Sequence, residues 1–131
     1  MRIGQRVELT LDGLSARGDG TGPLDGREVH VAAAFPGERV RVHLESISRQ
    51  HARAFASLDA VLAPHPARRE PPCPRHAARG GACTGCPLMA LELDAQRAMK
   101  RERARALGLP IDGALAGADA LGYRWSSKRV A

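Results

Sequence analysis

All three cysteines of this 131-residue chain lie within fourteen positions, at Cys73, Cys83 and Cys86. Thiolate is a soft ligand suited to zinc and to iron-sulfur clusters, and Gly80, Gly81 and Gly85 let the backbone turn tightly between the sulfurs. A 4Fe-4S cube is usually held by four thiolates, so three cysteines imply a fourth ligand from elsewhere. Zinc is the alternative, because Cys73-x2-His76 and Cys83-x2-Cys86 form two spaced pairs that supply four tetrahedral ligands from this chain alone. A third reading leaves the thiols reduced and metal-free. His30, His43, His51 and His65 are scattered and read as strand or surface residues rather than ligands.

Such a cluster needs a rigid support, and the residues before it supply one. Arg6 to Asp12 alternate strictly, with Val7, Leu9 and Leu11 on one face, and Arg39 to Glu45 repeat the pattern with Val40, Val42 and Leu44. Further strands are expected at Leu14 to Arg17, Glu28 to Val31 and Arg53 to Leu62. Turn signals separate them at Asp12-Gly13, Gly18-Asp19-Gly20, Asp25-Gly26 and Pro36-Gly37. The Arg17-Gly18-Asp19 triplet is turn chemistry in this setting. Five strands in some sixty residues predict a mainly β fold, a five-stranded OB-like barrel. The barrel spans 1–62, a proline-rich linker with the cysteine loop spans 63–88, and a basic helix with the start of a further domain spans 89–131. The helix opens at Pro87, spaces Leu88, Leu91, Ala95 and Ala98 by three and four, and ends at Gly108 and Pro110. The tail from Leu121 through Tyr123 and Trp125 reads as a strand that begins without a partner, so the chain is expected to be a fragment or to be completed by another.

Charge and hydropathy narrow the function classes. The net charge is +6, but residues 1–62 balance eight Arg against eight acids, whereas the rest sets ten Arg and two Lys against six acids. A surplus gathered beside and after the cysteines suits a polyanion, most simply nucleic acid. No apolar run approaches the roughly 20 residues of a bilayer span, and charge at Arg2 and Arg6 breaks any export signal. A cytoplasmic chain without a membrane partner is expected, and its odd cysteine count argues for reduced thiols over disulfides.

Three segments carry a resemblance to a known family. Leu14-Ser-Ala-Arg-Gly-Asp-Gly-Thr-Gly, Gly26-Arg-Glu-Val-His-Val and Phe35-Pro-Gly-Glu-Arg-Val-Arg-Val resemble a TRAM domain, the RNA-binding OB-type barrel of several RNA-modifying enzymes. The order that follows is similar to the cluster region of S-adenosylmethionine-dependent RNA uracil-5-methyltransferases: Pro66-Ala-Arg-Arg-Glu-Pro-Pro-Cys73-Pro, Cys83-Thr-Gly-Cys86, Gln96 with Lys100, then Tyr123-Arg124 with Lys128. The resemblance implies a 4Fe-4S centre on Cys73, Cys83 and Cys86, with His76 a ligand only to zinc. It implies rRNA or tRNA as partner, with Arg17, Arg27, Arg39, Arg41 and Arg53 of the barrel and Arg97, Lys100, Arg101, Arg103 and Arg105 of the helix as phosphate contacts. The spacing from Cys73 to Cys83 is longer than the family's, and Thr84 stands where the family has glycine. Covalent attack on uracil needs a free thiolate, and none remains once all three cysteines are ligands. No catalytic residue is therefore assigned here. The methyl-donor pocket and catalytic cysteine are expected in a methyltransferase domain, in the same gene product or in trans. The alternative is a stand-alone RNA-binding or zinc-binding module without activity.

Overall fold

The computed structural model describes residues 1–111, in two compact units divided between Glu92 and Leu93. The first unit holds one six-stranded sheet: β1 (Arg6–Thr10), β2 (Gly13–Leu14), β3 (Gly20–Leu24), β4 (Arg27–Val31), β5 (Arg39–Ile47) and β6 (Arg53–Ala63). Their spatial order is β1-β5-β6-β4-β3-β2, with every neighbouring pair antiparallel except the parallel β4 and β6. The mainly β expectation holds.

The strand count is six rather than five. The expected strand at Leu14 to Arg17 shrinks to the two residues of β2, and the added strand is β3, whose sequence Gly-Thr-Gly-Pro-Leu is masked by two glycines and a proline. Those glycines are there for closure. A Cβ on Gly22 would sit 2.5 Å from the Thr10 carbonyl oxygen, and one on Gly20 would sit 2.6 Å from that of Ala34. Lacking side chains at positions 20 and 22, β3 rolls against the end of β1, where the Asp12 N–H donates to the Thr21 carbonyl at 2.9 Å. Register shifts along the β5–β6 pair bend the sheet so that it can curl this far.

The concave face encloses Leu9, Leu11, Val29, Val31, Ala34, Val40, Val42, Leu44, Ala54 and Ala56. In β5 the alternation predicted from sequence appears as buried Val40, Val42 and Leu44 against exposed Arg39 and Arg41. Leu9 is the buried residue of β1, with Leu11 buried just beyond its end.

The proline-rich segment after β6 has no regular structure, but it is fastened down. Glu38 shares the inward parity of Val40 and is fully buried. Its carboxylate accepts from the Phe35 N–H at 3.0 Å, the His65 N–H at 3.0 Å and the Arg68 guanidinium at 2.7 and 3.0 Å. Arg68 also donates to the Ala33 carbonyl at 2.7 Å and lies 5.1 Å from the centre of the Phe35 ring. A buried carboxylate is tolerated only when paired and hydrogen-bonded, and here the pair crosses from barrel to linker.

In the second unit, α1 (Leu93–Ala106) is the one α-helix among the described residues. It starts later than the expected opening at Pro87. Pro87–Ala90 forms a separate 3-10 turn and Leu91 is extended and fully buried in the first unit, so tertiary packing takes Leu88 and Leu91 out of the helix. Its end is as expected: Gly108 has φ 76°, with Gly108 N–H donating to Arg105 and Leu109 N–H to Ala104, a Schellman closure. The tail from Leu121 lies outside the described residues.

Candidate metal centre and nucleic-acid interface

The cysteine loop is closed at its feet. Arg69 N–H donates to the Ala90 carbonyl and Glu92 N–H to the Ala67 carbonyl, both at 2.8 Å, so 67–69 pairs with 90–92. Arg69 reinforces the junction, reaching the Met89 carbonyl at 3.3 Å and the Glu92 carboxylate at 3.8 Å. Arg68, one residue earlier, is the residue held by Glu38, so the feet are anchored to the barrel core. A second anchor is steric: Gly18, in the turn between β2 and β3, lies against the Pro87 ring just after Cys86.

Inside the loop, His76 does the organising. It is 2% exposed, the one buried residue between Cys73 and Cys86. Its Nδ1 accepts from the Ala78 N–H at 3.0 Å. Its Nε2 must then carry the proton that it gives to the Cys86 carbonyl at 2.9 Å. The backbone around it forms a single parallel bridge: Ala77 N–H donates to the Cys83 carbonyl, and Cys83 N–H donates to the Arg75 carbonyl. Gly81 is required there, since a Cβ would fall 2.1 Å from the Arg75 carbonyl oxygen.

Cys73 is half-buried and Cys83 and Cys86 are exposed, with all three sulfurs free. Among the described residues, no three His, Cys, Asp or Glu side chains gather closely enough to hold a single metal ion. A 4Fe-4S cube spreads its thiolates over separate corners, and in kind the donor set suits it: three thiolates on one fixed-ended loop, two of them open to solvent. The zinc arrangement would need His76, and both of its ring nitrogens are occupied by the backbone.

The arginines expected on phosphate divide into two groups. Arg39 and Arg41 both grip Glu8, with closest contacts of 2.8 Å each, and these guanidiniums, Arg41 first, hold the Glu8 carboxyl below its usual range. Alongside, Asp59 bonds His43 at 2.7 Å and Arg6 at 3.1 Å, and its carboxyl is likewise lowered, chiefly by His43. Arg27 spends its Nη1 on the Ser48 and His51 carbonyls at 3.0 and 2.9 Å, shaping the β5–β6 turn. Arg17 and Arg53 are exposed, and among the described residues no ion pair holds either. Arg17 sits in a turn closed by Ser15, whose hydroxyl accepts from the Arg17 and Asp19 N–H groups. On α1, Arg97 contacts Asp94 at 3.2 Å, Lys100 and Arg105 are exposed, and Arg101 and Arg103 are half-buried. His30, His43 and His65 bond to Glu28, Asp59 and the Ala67 N–H respectively, as strand and surface residues do.

Sequence reading missed Glu38 and the structural use of His76. Glu38 carried a signal, because just before β5 its parity lines a carboxylate up with the apolar Val40, Val42 and Leu44. No family model matches the chain. Among curated proteins it is similar to an uncharacterised RNA methyltransferase of Geobacter sulfurreducens, 39% identical over 99 residues, which is 75% of this chain and 19% of that protein. It is also similar to the 23S rRNA (uracil(1939)-C(5))-methyltransferase of Halomonas elongata, 40% identical over 114 residues, 83% of this chain and 22% of that enzyme. The same-named enzyme of Chromohalobacter salexigens is 40% identical over 134 residues, 92% of this chain and 26% of the enzyme. This chain's relatives are thus RNA methyltransferases, and it spans about a fifth to a quarter of their length. No described helix is long and apolar enough to cross a membrane.

Proposed function

We propose that this chain is the RNA-gripping, cluster-bearing portion of an RNA uracil-5-methyltransferase acting on rRNA or tRNA. The methyl-donor pocket for S-adenosylmethionine and the catalytic cysteine would be supplied by a domain outside it. The observation that carries the reading is the 92% coverage at 40% identity by a 23S rRNA uracil-C5-methyltransferase, a match long enough to contain both barrel and cysteine loop. The closed feet and the Glu38–Arg68 pair support it by giving a TRAM-type barrel a fixed hold on the loop.

Cys73, Cys83 and Cys86 would hold a 4Fe-4S centre, with a fourth thiolate from beyond this chain. When bound, such a centre supplies an inorganic cross-link between the loop and whatever bears that thiolate. His76 sets the loop beforehand by binding Ala78 and Cys86, and Arg17 and Arg53 present positive charge to RNA phosphates. Reconstitution of the chain with iron, sulfide and a free thiol should give a brown protein with about four irons. A colourless protein with stoichiometric zinc overturns the cluster assignment, and RNA affinity that is unchanged between about 50 and 200 mM salt overturns the phosphate-gripping role.

A further inference from the structure

The chain contains four aromatic residues, two Phe, one Tyr and one Trp, and the two phenylalanines meet opposite fates. Phe35 is fully buried beneath Arg68, whereas Phe55 lies on the outer face of the sheet and is 37% exposed. Phe55 has company there. Its register partner across the parallel β4–β6 pair is His30, and the two rings stand with centroids 5.2 Å apart at 40°. Glu28 fixes the imidazole by accepting from His30 Nε2 at 2.7 Å. Arg53, two residues before Phe55 on the same outward face, is exposed and held by no ion pair among the described residues.

The rest of the outer face does not look like this. Across β1, β5 and β6, Glu8 takes up Arg39 and Arg41 while Asp59 takes up His43 and Arg6, so the positive charge there is already answered. Among the described residues, only the Phe55 region combines an open π-surface with an uncommitted guanidinium. Residues i and i+2 of a strand stand about 7 Å apart, a span one nucleotide can bridge.

We infer that Phe55, backed by His30, is a stacking platform for one unpaired base of single-stranded RNA, with Arg53 holding the adjoining phosphate. The inference rests on the RNA-gripping reading above and gives it a place on the barrel. Stacking on a single aromatic tolerates any base, so the platform recognises unpaired RNA rather than a sequence.

The test is binding of the full chain to a fluorescein-labelled oligouridylate of about 12 nucleotides, followed by anisotropy at about 50 and 200 mM salt. Phe55→Ala should weaken binding about 5- to 150-fold with an unchanged salt slope, while Phe55→Trp retains it. Arg53→Ala should weaken binding and reduce the salt slope by about one contact, and a duplex of the same length should not feel Phe55→Ala. A chain that binds the oligonucleotide equally well with Ala at 55, its fold verified by circular dichroism, overturns the platform and leaves the broader RNA reading standing. A chain that binds no RNA at either salt overturns both.

Discussion

The barrel and the cysteine loop sit in one compact unit yet are held by different forces. The barrel buries ten apolar side chains behind a curled sheet, whereas the loop between Cys73 and Cys86 buries only a histidine. Apolar burial is non-directional and tolerates imperfect geometry; a buried imidazole bonded at both nitrogens does not. Glu38 and Arg68 join the two regimes, because one residue belongs to the barrel and the other to the loop's foot.

Breaking that junction should have the largest effect. Arg68→Ala leaves the Glu38 carboxylate buried and unpaired, so unfolding in urea should show a loss of about 3–5 kcal/mol. Replacing both partners, Glu38→Leu with Arg68→Met, should restore much of it, and a double variant as weak as the single one would mean that the ion pair itself is not the issue. Next comes His76→Ala, which strands the Ala78 N–H and the Cys86 carbonyl at a cost of about 1–3 kcal/mol, confined to the loop. Hydrogen exchange should quicken at Ala78, Gly81 and Cys83 while β4 and β6 keep their protection. Equal loss in the strands would erase the distinction between the two regions.

Two glycine changes sharpen the same comparison. Gly22→Ala drives a methyl into the Thr10 carbonyl and should lower global stability by about 1–3 kcal/mol. Gly81→Ala drives one into Arg75 and should leave the urea midpoint nearly unmoved while Cys83 reacts faster with a thiol reagent. The smallest effect belongs to the exposed carboxylates. Glu8 titrates below its ordinary value of 4.5 in the folded chain, so its stabilisation is present above that pH and disappears as pH falls through the lowered value. Glu8→Gln should flatten stability between neutral and acid pH by a small amount that vanishes in high salt, read from thermal midpoints across pH.

Much of the barrel was legible because alternation is a two-residue signal that survives without tertiary context. Val40, Val42 and Leu44 declare their face, and Asp25-Gly26 declares its hairpin. β3 was hidden because closure demands glycine at 20 and 22, the residues that ordinarily argue against a strand. Leu88 and Leu91 mimicked a helix stripe because three- and four-residue spacing is blind to a foot pairing that pulls Leu91 into the core. The cysteines were legible as free thiols rather than disulfides. The role of His76 was not, because its ring touches backbone atoms whose positions no side-chain pattern encodes.

The pairing of 67–69 with 90–92 has a consequence for how such a chain can drift. With both ends stapled, residues added in between lengthen an excursion without shifting either anchor, and doubling a flexible loop costs only about 0.6 kcal/mol. Related chains should therefore tolerate insertions at 70–74, between the first foot and the stretch that His76 organises, far better than within 67–69 or 90–92.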